Sequence, residues 1–130
     1  MPRGKGFPKF SSKHTLMLSS EIKSPEAFFQ AIFWKSSSDA YTALEIFNII
    51  KANEEKIGGL PGKEWKHICE SLRIKPTKFY SILRTLESCG IVRREPELRV
   101  WKISGKFLSF VEPLIVVYEE MSKYKSVLRR

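Results

Sequence analysis

Between residues 72 and 90 the chain concentrates side chains that can hydrogen-bond an anion or the edge of a nucleic-acid base. The string Leu72-Arg73-Ile74-Lys75-Pro76-Thr77-Lys78-Phe79-Tyr80-Ser81-Ile82-Leu83 carries a distinctive apolar spacing. Leu72 ends one helix, Ile74 plugs a turn, and Phe79 and Leu83 anchor a second helix. With that face buried, Thr77, Ser81 and Arg84 fall on the opposite side, and Lys78, Tyr80 and Thr85 flank them. Lys75 stands at the helix start. Exposed hydroxyls supply donors and acceptors for base edges, and the cations supply charge for phosphates. The spacing is that of a helix-turn-helix, and the chemistry it points to is recognition, with no bond made or broken.

Other chemistries fit the residues less well. The segment Gly58-Gly59-Leu60-Pro61-Gly62-Lys63 falls one residue short of a phosphate-binding P-loop. Pro61 intrudes there, and Glu64 stands where Ser or Thr would hold magnesium. His67 and Cys69 lie two apart, too close to share a helical face, and no second Cys/His pair completes a zinc set. Neither a metal nor a cofactor is therefore expected. Cys69 and Cys89 read as small core or half-exposed residues, with a redox pair between their helices as the open alternative. Ser, His and Asp occur without a nucleophile motif around them, and two histidines give little scope for acid–base work. Enzymatic activity is not expected.

The charge supports an anionic partner. The chain has 130 residues and a formal net charge of +9. Residues 1–14 hold four basic residues and no acid, and residues 62–106 hold eleven against five. The 15–61 segment is slightly acidic, so the positive charge is segregated into a tail and one central block. At 42% apolar and 12% aromatic, the composition suffices for one hydrophobic core and excludes wholesale disorder. The longest apolar stretch, residues 107–118, is interrupted by Glu112 and Pro113 and is too short to span a bilayer. Residues 1–14 are polar and basic, unlike a signal peptide, and two cysteines make no disulfide framework. The expected setting is cytoplasmic and nucleoid-associated, away from membranes.

The elements that must position these side chains follow from periodicity and caps. Arg3, Lys5, Lys9 and Lys13, among scattered Gly and Pro, make residues 1–14 a basic arm. Ser24-Pro25-Glu26 opens a helix running to about Lys35. Ser38 or Asp39 caps the next helix, whose wide stripe of Ala40, Tyr41, Ala43, Leu44, Ile46, Phe47 and Ile50 predicts a central position and an end near Asn53. Residues 58–62 form a loop. Trp65, Ile68 and Leu72 mark a short helix, and Pro76 opens another that buries Phe79, Ile82, Leu83 and Leu86 and ends at Gly90. Residues 91–95 and 99–103 are strand candidates around Pro96-Glu97-Leu98, a hairpin. Ser104 caps a last helix, with Pro113 expected to kink or break it.

Leu86-Glu87-Ser88-Cys89-Gly90-Ile91-Val92 and Trp101-Lys102-Ile103-Ser104 resemble, respectively, the exit from the recognition helix and the post-wing strand of the winged helix-turn-helix family. That family includes MarR-like and PadR-like regulators and archaeal relatives. The resemblance covers about residues 39–106. Arg73 departs from it where many members have a turn glycine, and Lys75 departs where Ser or Thr usually caps the helix. The resemblance implies a mainly α fold with a small β-hairpin wing, a winged-helix domain over residues 15–106 and a terminal helix over 107–130. It also implies a double-stranded DNA-binding transcription regulator. The helix at about 76–88 would read the major groove through Lys75, Thr77, Lys78, Tyr80, Ser81, Arg84 and Thr85. The wing at about 91–103 would hold phosphates through Arg93, Arg94, Arg99 and Lys102, although Glu95 and Glu97 near its tip oppose deep minor-groove insertion.

The terminal helix carries Leu114, Ile115, Tyr118, Met121 and Leu128, and in resembling regulators such helices build a homodimer. Packing against Phe28, Phe29, Phe33 and Trp34 of the same chain is the alternative. Two further readings stay open: an architectural protein coating DNA without sequence preference, and a winged-helix adaptor for a protein partner in transcription or replication.

Overall fold

The computed structural model describes residues 16–126. Over these the chain is mainly helical with a small antiparallel sheet. The basic arm over residues 1–14 and Leu128 lie outside the described residues.

The first helix, α1 (Pro25–Ile32), has Ser24 as N-cap, its hydroxyl accepting from the Ala27 N–H at 3.1 Å, and Pro25 in the first turn. It ends three residues before the expected Lys35. The backbone leaves the helix at Phe33, whose carbonyl accepts from the Gln30 side chain and the Ser36 N–H. Helix α2 (Ser37–Ile57) is capped by Ser36, not by Ser38 or Asp39: the Ser36 hydroxyl accepts from the Asp39 N–H at 3.1 Å. It also runs four residues past Asn53. The apolar stripe fades there, but Glu54, Glu55 and Lys56 are good helix formers, and nothing stops the helix before Gly58. Gly58 takes the left-handed conformation at φ 91° and donates to the Glu54 carbonyl.

The expected loop at residues 58–62 contains a strand. Strand β1 (Leu60–Pro61) pairs antiparallel with β3 (Val100–Ile103), which pairs on its other edge with β2 (Val92–Glu95). The order is β1-β3-β2, with Leu60 opposite Trp101 and Val92 opposite Ile103. Helix α3 (Trp65–Leu72) follows a 3-10 turn, and α4 (Pro76–Ser88) follows a tight turn at Arg73, which is left-handed at φ 58°.

The core has α2 at its centre, with Ala43, Ile46 and Ile50 wholly shielded from solvent. Around them pack Phe29 and Ile32 from α1, Ile68 from α3, and Phe79, Ile82, Leu83 and Leu86 from α4. Leu60, Val92 and Trp101 close the sheet side. Two polar contacts tie α2 to its neighbours. The Glu54 carboxylate accepts from the Ile103 N–H at 2.8 Å, and Asp39 pairs with Lys78 of α4 at 2.9 Å.

Helix α5 (Lys106–Ser122) begins at Gly105 as N-cap, one residue later than expected, and the Ser104 hydroxyl accepts from the Lys106 N–H. It continues through Pro113 without a break, and none of its residues is buried. No helix among the described residues is long and apolar enough to cross a membrane. The start of α5 is fastened to the end of α4, because the Phe107 N–H donates to the Gly90 carbonyl at 2.9 Å.

Two left-handed positions predict opposite responses to substitution. Gly90 has φ +77°, and a Cβ there would lie 2.7 Å from the Phe107 nitrogen and 2.9 Å from the Lys106 carbonyl carbon. Gly90→Ala should therefore cost about 3 kcal/mol. Arg73 has a Cβ at φ 58°, so Arg73→Gly should add about 1 kcal/mol. Urea unfolding measures both, and an unchanged midpoint for Gly90→Ala would remove the assigned constraint at that junction.

Candidate nucleic-acid interface

Helix α4 presents three faces, each set by the 100° turn between successive residues. Phe79, Ile82, Leu83 and Leu86 enter the core. Thr77, Ser81 and Arg84 form the outward row and are exposed. Tyr80 and Glu87 lean toward the hairpin, where both line a groove between α4 and the sheet. Lys75 is the N-cap residue, exposed and without a side-chain cap bond.

Two of the expected contact residues lie on the α2 side. Thr85 is buried at 7% exposure, and its hydroxyl donates to the Ser81 carbonyl, so it cannot meet a ligand as expected. Lys78 precedes it by two turns on the same side and is paired with Asp39. Both follow from one rotation: residues seven apart share a helical row, and this row faces α2.

The hairpin does not gather its four cations. Cross-strand partners share a face, so the register puts Arg94 with Trp101 on one side and Arg93 with Lys102 on the other. Arg94 sits over the Trp101 ring, with the guanidinium carbon 6.0 Å from its centroid. Trp101 is nearly buried, so this is the side that faces the core and α4. On the opposite side Arg93 is bonded to Glu95 at 2.6 Å. Arg99, at the hairpin turn, has φ 56°, and its carbonyl accepts from the Gly62 N–H at 2.9 Å.

The groove has a volume of about 660 Å³, and Tyr80, Arg84, Arg94, Arg99 and Trp101 line it together with Lys63. The structure thus brings together Tyr80, Arg84, Arg94 and Arg99 and leaves Arg93 and Lys102 behind the sheet. A second hollow is lined by Arg73, Ile74, Lys75, Thr77, Lys78 and Ser81. Local sequence does not mark Lys63 and Trp65 as site residues. Trp65 reads as core by its spacing with Ile68 and Leu72. Lys63 reaches the groove because Pro61 pairs with Val100, a contact that local sequence does not announce.

Cys69 and Cys89 are both free thiols. Burial pushes the pKa of each upward, and the Glu70 charge adds to this at Cys69, so both are poorer thiolates than an exposed cysteine.

Along α5, Phe110, Leu114, Val117 and Met121 are exposed at spacings of four, three and four, the alternation of a coiled-coil seam. Tyr118 flanks them and is 55% exposed, whereas Ile115 is half-buried. Of the α1 aromatics, Phe28 meets the base of this helix in an edge-to-face contact with Phe107, at 5.3 Å.

Compared with known proteins, the chain matches no family model, no curated protein and no solved structure.

The outer hairpin face gives a pH test. The hydrogen bond from Arg93, then the Arg93 charge and that of Lys102, hold the Glu95 carboxyl below its ordinary value. A depressed folded pKa means that the contribution is full above the ordinary glutamate range and is lost as pH falls through the lowered value. Carboxyl-carbon NMR should show Glu95 titrating below the ordinary glutamate value. Arg93→Ala should move it back up toward that value, and no movement would exclude the pairing as the cause.

Proposed function

We propose that the chain is a double-stranded DNA-binding regulator of the winged-helix kind, reading the major groove with α4 and acting as a homodimer through α5. The observation that carries this reading is the exposed row Thr77, Ser81 and Arg84, bordered by Lys63, Lys75, Arg94 and Arg99. None of these cations has an ion-pair partner among the described residues. Hydroxyls and a guanidinium on the protruding row suit base edges, and the bordering cations suit the phosphates on either side. Arg93 and Lys102 have no part in this surface, and Lys78 contributes a charge already shared with Asp39.

The apolar seam of α5 supports self-association. Two such helices set seam to seam would cover Phe110, Leu114, Val117 and Met121 of each chain, and Glu112 and Glu119 would stay outside the contact. A twofold pair would present two α4 helices to two half-sites of a palindrome. Such a protein would reside with the nucleoid.

Selection from a random duplex pool, with affinity followed across salt, tests the DNA reading. An enriched palindrome is expected, with log affinity falling against log salt by about 0.9 for each phosphate neutralised. Arg84→Ala should cost about 1–3 kcal/mol and relax the preference at one base position. Salt-sensitive binding without enrichment would point to an architectural protein, and absence of binding at low salt to a protein adaptor. For the dimer, light scattering should give twice the 15.1 kDa chain mass, and Leu114→Glu should return it to one. A monomeric parent chain would refute the pairing.

A further inference from the structure

We propose that the groove between α4 and the hairpin takes an unpaired nucleotide, so that the chain prefers duplex DNA carrying a single-stranded tail. This rests on the duplex-binding reading and names a part of the substrate which that reading does not require.

The lining is the argument. At about 660 Å³ the groove falls in the size range of pockets that enclose a small organic ligand. Its cations, Lys63, Arg84, Arg94 and Arg99, face a single acid, Glu87, and none of the five is ion-paired among the described residues. That balance suits a phosphate. Charge alone would also suit an ordinary duplex backbone, but the groove is aromatic as well. The Trp65 and Tyr80 rings lie 6.4 Å apart and tilted by 45°, and both line the groove. Trp65 is half-buried and Tyr80 is 36% exposed. The Trp101 face is already taken by the Arg94 guanidinium, so the open aromatic surface belongs to Trp65 and Tyr80.

Bases stacked in a duplex present their edges to a protein and keep their faces covered. Only an unstacked base offers a face to an aromatic ring, and its own phosphate then lies within a few ångströms of that ring. Aromatic surface beside uncompensated cations is the combination that holds a single strand, and stacked DNA would leave the rings unused. The groove adjoins the outward row of α4 through Arg84, so a strand leaving the duplex beside α4 would enter it directly.

The experiment compares the affinity of the full chain for a blunt duplex with that for the same duplex bearing a short deoxythymidine tail on either strand. A tail should tighten binding about tenfold, the effect of stacking roughly one base. Trp65→Leu and Tyr80→Leu should each bring the ratio of the two affinities close to one. Circular dichroism confirms that each variant is folded, and the second keeps the test decisive if the first does not fold. Equal affinity for blunt and tailed duplexes overturns the proposal and leaves the duplex reading intact. A tail preference that survives both substitutions also overturns it, because the tail then binds elsewhere. Failure to bind any DNA removes both readings.

Discussion

Helix α2 fixes the distance between the two walls of the candidate interface. It is 21 residues, roughly 31 Å at 1.5 Å per residue. Its shielded row of Ala43, Ile46 and Ile50 packs against α4 and the sheet at once. Each of those two neighbours is also held by a polar contact. Near the start of α2, Asp39 pairs with Lys78 of α4, and near its end Glu54 accepts the Ile103 N–H of β3. The groove between α4 and the hairpin is therefore as wide as α2 makes it. A cavity opened at Ile46 or Ile50 would disturb the relative position of Arg84 and Arg94 without touching either.

The sequence made the helices legible in proportion to how local their causes are. Ser24-Pro25 and Gly58 act within one turn of chain, and the α4 core row shows itself at spacings of three and four. Thr85 shows where that kind of reading fails. A hydroxyl one turn after the exposed Ser81 looks like a flanking contact, yet the end of α1 and the start of α2, far away in sequence, lie against this side of α4. The hairpin fails in a different way. Adjacent Arg93 and Arg94 must point to opposite faces of a strand, so their separation follows from the period of two alone. Which of them faces α4 depended on the register with β3. Strand β1 is the least legible element, because two residues carry no periodicity and its existence rests on pairing with residues 100 and 101.

Helix α5 depends least on the rest of the chain. Its first turn is fastened by the Phe107 N–H to Gly90 and by the Phe28 ring, and beyond that Phe110, Leu114, Val117 and Met121 stay exposed. Pro113 removes one backbone donor from the helix interior and weakens it locally. A helix with this composition gains most of its stability from what covers it. Coverage of the seam by a second α5 would supply that stability.

Several departures from local stability meet beside the groove. At the starts of α1 and α2, well away from the groove, Ser24 and Ser36 make their cap bonds. At the start of α4, Lys75 occupies the cap position and makes none, and Arg73 holds a left-handed backbone that glycine would adopt more easily. Lys78 and Arg93, turned from the groove, each have an acidic partner, whereas Lys63, Arg84, Arg94 and Arg99 repel one another around a groove with one acid. The exposed charges each cost little alone, because solvent screens them. Their concentration on one surface is what a stability optimum would not produce. A bound polyanion would neutralise the cations and give Arg73 and Lys75 a phosphate to meet, turning local costs of the free chain into contributions to binding.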